Sequence, residues 1–130
     1  MSQANIDLIR SGYDALNRSD REWAMALADP EIELETRFTQ VAGRTYRGLD
    51  GVESWIADVE ESWADMQQTP EKFIEVDDER TIALVSFKAR GRGSGAEIEQ
   101  QIAAIWTIRD GKVVRIETHA SLEEALEACG

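Results

Sequence analysis

The stretch EIEQQIAAIWTIRDGKVVRIETH, residues 97–119, decides the fold, because two runs of alternating side chains meet at Asp110-Gly111. A period of two sends successive side chains to opposite faces of a strand, and Asp-Gly tolerates the positive φ that a tight hairpin requires. Two registers are possible. A two-residue loop pairs Arg109 with Lys112 and sets Trp106 opposite Arg115 and Ala104 opposite Glu117. A three-residue loop with Gly111 left-handed pairs Ile108 with Lys112, so that Trp106 meets Val114, Ala104 meets Ile116 and Ile102 meets Thr118. A one-residue slip carries a whole apolar set to the other face, so the second register, which keeps charge out of the apolar row, is expected. Its inward row is Ile98, Gln100, Ile102, Ala104, Trp106, Val114, Ile116 and Thr118.

Working outward, candidate strands at Glu71–Val76 and Thr81–Arg90 precede this hairpin, and the turn-like segments DDER, GRGSG and DG join all four into an antiparallel meander. Keeping charge outside puts Ala83, Val85, Phe87 and Ala89 inward, with Ser86, Lys88 and Arg90 outward. The outer face would still carry Ile82, Leu84, Ala103, Ile105 and Val113. Contiguous apolar area of that kind usually marks an interface, so a homodimer through the sheet is expected.

The N-terminal third reads as helical. Ile6, Ile9, Tyr13 and Leu16 share one face of a helix ending near Asn17, and Ser19 with Glu22 forms a capping box ahead of Trp23, Ala26 and Leu27. That second helix stops at Asp29-Pro30, and Glu31–Phe38 alternates as a strand with Ile32, Leu34 and Thr36 inward and Glu31, Glu33, Glu35 and Arg37 outward. After a loop containing Gly43 and Gly48, the residues Val52, Trp55, Ile56, Val59, Trp63 and Met66 keep helical spacing, giving the longest helix over Asp50–Gln67. Its carboxylates Asp58, Glu61 and Asp65 read as a solvated face. Ser121 with Glu124 is a second capping box and opens a short C-terminal helix.

With 130 residues and 42% hydrophobic side chains, the chain is expected to be one domain over residues 1–130, large enough to bury a core without disulfides or metals. Its 26 acidic against 14 basic side chains give a net charge of -12, which repels phosphate backbones and anionic lipid heads. Neither nucleic acid nor a membrane is an expected partner. Cys129 is alone, no stretch approaches about 18 apolar residues, and MSQANIDLIR lacks a basic segment followed by an apolar run, so a cytoplasmic protein is expected. A metal site is not expected from one histidine and one cysteine without a D-x-D-x-D-G loop, nor is a cofactor. GRGSG lacks the strand-then-helix context and lysine of a phosphate cradle, and no G-x-S-x-G elbow occurs.

The order helix, short helix, strand, long helix, four-stranded meander resembles the nuclear transport factor 2-like superfamily, most closely its SnoaL-like members. The resemblance is carried by YDALNRSDREWAMALADPEIELE (13–35), YRGLDGVESWI (46–56) and AAIWTIRDGKVVRIETHASLEEALEA (103–128). It implies an α+β cone in which a curved antiparallel sheet wraps three N-terminal helices, with a short C-terminal helix and an apolar pocket inside. Families of this shape include ketosteroid isomerases, polyketide cyclases, epoxide hydrolases, dehydratases and binding modules, so the fold assigns no reaction.

Residue by residue, Tyr13 matches the position at which similar isomerases hold an oxyanion-binding tyrosine, and as a core residue it would instead have its hydroxyl satisfied internally. The isomerase base would fall at Glu35-Thr36, where periodicity turns Thr36 inward and Glu35 outward unless a bulge reverses them. The second acid would fall at Ala104, which has no proton to donate. Tyr13 and Glu35 are thus the candidate catalytic pair. The candidate ligand wall is Tyr13, Thr36, Trp55, Val59, Phe87, Gln100, Ala104, Trp106 and Thr118, although Trp55, Trp63, Trp106, Phe87 and Phe38 serve equally as packing. His119 points outward, toward a surface or interface role. The expected function is binding of a small, largely apolar molecule. The alternatives are an acid-base enzyme of the isomerase, cyclase or dehydratase type and a non-catalytic dimeric interaction module whose cone is filled by its own side chains.

Overall fold

The computed structural model describes residues 3–18, 20–36 and 44–130. Its elements are α1 (Gln3–Asn17), α2 (Arg21–Leu27), β1 (Ala28–Thr36), β2 (Arg44–Arg47), α3 (Gly48–Ser62), β3 (Trp63–Glu75), β4 (Arg80–Gly91), β5 (Glu97–Arg109), β6 (Lys112–His119) and α4 (Leu122–Cys129). The strands form one curved sheet in the order β2-β1-β6-β5-β4-β3. Every neighbouring pair is antiparallel except β1 and β6, which run parallel. The α+β architecture is the one the sequence implies, and no helix among the described residues is long and apolar enough to cross a membrane.

Local chemistry accounts for most of the boundaries. Asp20 caps α2, its carboxylate accepting from the Trp23 backbone N–H at 3.0 Å, while Ser19, the expected cap, lies outside the described residues. Ser121 caps α4 by accepting from Glu124 N–H at 3.2 Å. Arg37, Phe38 and Gly43 lie outside the described residues, and the loop expected up to Gly48 holds the short strand β2, which pairs Tyr46 with Leu34.

The long helix stops at Ser62 instead of Gln67. Trp63 is already extended, at φ -128° and ψ 137°, and Asp65 sits at φ 55°. Helical spacing at Trp63 and Met66 misled because pairing with β4, from Trp63 opposite Gly91 onward, outweighs local helix propensity. Asp65 marks a bulge between Ala64 and Gln67 that shifts the facing of the strand.

The hairpin of β5 and β6 starts in the first of the two expected registers and then leaves both; the second, with Trp106 opposite Val114 and Ala104 opposite Ile116, does not occur. Asp110 at φ 54° and Gly111 at φ 75° form the two-residue turn that pairs Arg109 with Lys112 and Ile108 with Val113. A bulge at Val114 then pairs Thr107 with Arg115, Trp106 with Ile116 and Ala104 with Thr118. The extra residue restores even-numbered side chains to the inner face, so no charge enters the core. It also exchanges two valines: Val113, expected outside, is buried in the main core, and Val114, expected inside, is only half-buried.

The main core joins Ile9 and Tyr13 of α1, Val52, Trp55, Ile56 and Val59 of α3, and the inner sheet residues Ile32, Leu34, Ala83, Val85, Ile102, Ala104, Trp106 and Ile108. The seam between α1 and the sheet depends on Gly12, where a Cβ would stand 3.0 Å from Trp106 Cη2. On the outer face, Ile82, Ala103 and Ile105 are covered by Ala125 of α4, with Leu84, Leu122 and Cys129 packed around them. The surface expected to join two copies is therefore occupied by the chain's own helix. His119 lies on this outer face but is buried, its Nε2 2.6 Å from Glu117 Oε2. Arg115 binds Glu117 at 3.1 Å, Glu33 at 2.7 Å and Glu35 at 3.1 Å, and Arg47 reaches Glu33 at 3.2 Å.

Burial works to raise the Glu117 pKa, but its bonds to His119 and Arg115 together hold the carboxyl below the usual value of 4.5. A carboxylate depressed by folding contributes stability above its unfolded pKa and loses it as pH falls through the folded one. Glu117→Gln is accordingly expected to flatten the fall in urea midpoint between about pH 5 and pH 3; a slope equal to wild type would count against the network. Gly12→Val is expected to reduce stability by about 1–3 kcal/mol through displacement of Trp106, read from urea titrations. Ala125→Arg, which buries a charge under α4, is expected to undock the helix and cause self-association in light scattering. A monomer of unchanged stability would show that the helix is not what shields the sheet.

Candidate functional site

Among the described residues, two cavities that share Leu16 and Trp55 lie on the inner side of the sheet. The larger, about 310 Å³, is walled by Ala15, Leu16 and Asn17 at the end of α1, Asp20, Trp55, Ile56, Val59 and Glu60 of α3, Trp63, Asp65, Met66 and Gln67 of β3, and Arg92. The smaller, about 40 Å³, is apolar and lies between Gly12, Leu16, Ile32, Leu34, Val52, Trp55, Trp106, Val113 and Ile116 among others. Leu16 and Trp55 line both, so these two side chains form the partition. A volume near 300 Å³ is the lower end of ordinary small-molecule sites, whereas the smaller compartment has room for little more than water.

The larger cavity is mixed in character. Its floor presents Trp55, Ile56, Val59, Trp63 and Met66, and its rim presents Asn17, Asp20, Glu60, Asp65, Gln67 and Arg92. The rim carboxylates are exposed and paired with arginines: Asp20 with Arg18 at 3.5 Å, Glu60 with Arg21 at 2.6 Å and Asp65 with Arg90 at 3.0 Å. Surface pairs of this kind contribute little to stability and exchange readily with solvent. Arg92, from the GRGSG connection, is anchored through its Nε on the Glu60 carbonyl oxygen.

Of the residues expected to line a site, Trp55 and Val59 wall the larger cavity and Trp106 the smaller. Tyr13 is buried and lines neither. Its hydroxyl oxygen accepts from Trp106 Nε1 at 3.1 Å, and the two rings meet edge to face at 5.2 Å. Burial drives the Tyr13 pKa well above its ordinary value, and the Trp106 bond opposes this only in part. The phenol therefore stays protonated and is suited to donate, not to accept, a proton. Among the described residues no acceptor takes its hydrogen.

Other expectations need correction. Glu35 points to the outer face, where Arg115 holds it, because Ile32 and Leu34 keep the apolar parity of β1 facing the helices. It cannot serve as a base for anything bound inside. Gln100 follows the inner parity opposite Phe87 but is exposed, since it lies toward the solvent end of β5. Phe87, Ala104 and Thr118 are buried core residues that line neither cavity; Phe87 packs edge to face on Trp63 at 5.6 Å, and the Thr118 hydroxyl donates to the Glu35 carbonyl at 3.4 Å. The Thr36 side chain lies outside the described residues. Among those residues no three His, Cys, Asp or Glu side chains converge as metal ligands.

Sequence reasoning missed Asn17, Asp20, Met66, Gln67 and Arg92 at the cavity and Gln68 behind it. Reading the start of β3 as the end of a helix concealed Met66 and Gln67. The one local cue was Asp65, a residue type that tolerates the left-handed conformation needed to bulge a strand.

Residues 9–116 match the family model of the SnoaL-like domain. Among solved structures, an NTF2-like protein of unknown function from Burkholderia pseudomallei is 25% identical at a TM-score of 0.79, covering 98% of this chain and 97% of its own. TerC, crystallised with polyporic acid, is 24% identical at a TM-score of 0.78, covering 96% and 97%. A Mycobacterium tuberculosis protein in complex with estradiol-17beta-hemisuccinate is 14% identical at a TM-score of 0.76, covering 92% and 95%. These last two likenesses are of fold alone. No curated protein matches the sequence significantly. The matched span takes in α1 through most of β6, the elements that build both cavities, and on that basis the chain belongs to the SnoaL-like domain family.

Proposed function

We propose that the protein binds a small amphiphilic molecule in the 310 Å³ cavity, its apolar part against Trp55, Trp63, Ile56 and Val59 and its polar part toward the rim. The observation that carries this reading is the pairing of two indoles and aliphatic walls with a polar mouth. The fold relatives crystallised with polyporic acid and with a steroid hemisuccinate support a ligand with a rigid ring system and oxygen substituents.

Binding is favoured over acid-base catalysis by the placement of the ionisable groups. The Tyr13 phenol stays protonated and so cannot act as a base, Glu35 faces away, and the carboxylates at the mouth are solvated and paired with arginines. A proton-transfer enzyme needs an acid or base within hydrogen-bond reach of a dry reacting centre. A purely self-filled interaction module is disfavoured because the larger cavity is lined by side chains and left unfilled by them.

In a heteronuclear NMR titration, 2-naphthol is expected to shift the indole N–H resonances of Trp55 and Trp63 saturably while that of exposed Trp23 stays still. Val59→Trp, which fills part of the cavity, is expected to weaken that binding at least tenfold, about 1.4 kcal/mol. Unmoved cavity indoles, or a variant that binds as well as wild type, would remove the cavity from consideration as a binding site.

A further inference from the structure

We propose that Gln68 is a concealed recognition group of this cavity, screened by Met66, and that it selects ligands bearing a hydroxyl or carbonyl on an apolar ring system. The assignment rests on the reading that the cavity takes a small molecule. It begins with the bulge at Asp65, which adds one residue to β3 and turns Gln68 to the inner face opposite Phe87. There the glutamine is only 3% exposed.

Its backbone is fully engaged. The Gln68 N–H donates to Asn17 Oδ1 at 2.9 Å, and the Gln68 carbonyl accepts from Asn17 Nδ2 at 2.8 Å, which ties β3 to the end of α1. The side chain is not engaged in the same way. Its Nε2 reaches Met66 Sδ at 3.9 Å, and among the described residues the amide has no other partner. A thioether is a weak acceptor, and a buried amide left largely unpaired is destabilising on the scale of one lost hydrogen bond. The backbone bonds to Asn17 would survive any side chain at position 68, so holding the strand in place does not require an amide.

Met66 supplies the route. It lines the cavity and is partly buried, and the flexible, unbranched thioether can swing aside at the cost of only its weak contact with Gln68 Nε2. A ligand group that displaces it meets both a donor and an acceptor on one amide, which complements a hydroxyl or a carbonyl. The neighbouring indoles Trp55 and Trp63 and the aliphatic walls hold the ring system. Recognition by a buried polar group discriminates strongly, because an analogue lacking the partner leaves the amide unpaired.

The test compares 2-naphthol with 2-methylnaphthalene, matched in shape but lacking the hydroxyl, on wild type and Gln68→Met. Wild type is expected to prefer 2-naphthol by roughly five- to tenfold, and the variant to lose that preference by weakening 2-naphthol alone. The ligand-free variant is also expected to melt about 2–6 °C higher, because an unpaired amide has been removed. Met66→Ala provides a second route that leaves Gln68 in place, and it is expected to increase the preference for 2-naphthol. Equal binding of both probes by wild type, or an equal loss of both in Gln68→Met, overturns the assignment while the cavity reading stands. Failure of wild type to bind either probe overturns both.

Discussion

The contact on which the rest of this structure depends is the one between Gly12 and the indole of Trp106. Without a Cβ at position 12, α1 approaches the sheet closely enough for the indole to pack against it; a Cβ there would stand only 3.0 Å from Trp106 Cη2. An indole buried so deeply must place its N–H on an acceptor, and Tyr13, one residue along the same helix, offers its hydroxyl oxygen. Helix, sheet and hydrogen bond thus fix one another. These three residues pack together beside an apolar compartment of about 40 Å³, and the 310 Å³ cavity opens where α1 ends, α3 ends and β3 begins.

That position shapes the chemistry. At the ends of elements the walls come from helix termini, a strand start and a hairpin connection, so apolar floor and polar rim occur together. The carboxylates Glu33, Glu35 and Glu117 gather around Arg115 on the outer face, and the phenol of Tyr13 is held protonated by burial. At the cavity mouth stand the solvated, arginine-paired carboxylates Asp20, Glu60 and Asp65, and behind it lies an amide next to a thioether.

Two strand bulges control how much of this was legible. The alternation over residues 97–119 established both strands of the final hairpin and the parity of its inner row, because burying charge outweighs any local preference. It did not reveal that the turn has two residues and that Val114 absorbs the extra position. In β3 the consequence was larger. WADMQQT carries aromatic and thioether side chains at a spacing that suits a helix as well as a bulged strand, and only the availability of β4 as a partner resolves the ambiguity. Gln68 fell between the expected helix, ending at Gln67, and the expected strand, beginning at Glu71, and so was not singled out. The apolar back of the sheet was read correctly as needing a cover, but a strand pattern does not say whether that cover is a second copy or the chain's own α4.

The sequence by itself determined most of the element types and their order, the even-numbered parity of the inner row, the Ser121 cap of α4, and the family, because these follow from short-range periodicity and capping. Tertiary structure alone decided where α3 gives way to β3, which face Gln68 occupies, what covers the outer sheet and where open volume remains. Each of these depends on contacts between residues far apart in the chain, and such contacts leave no local trace in the order of the side chains.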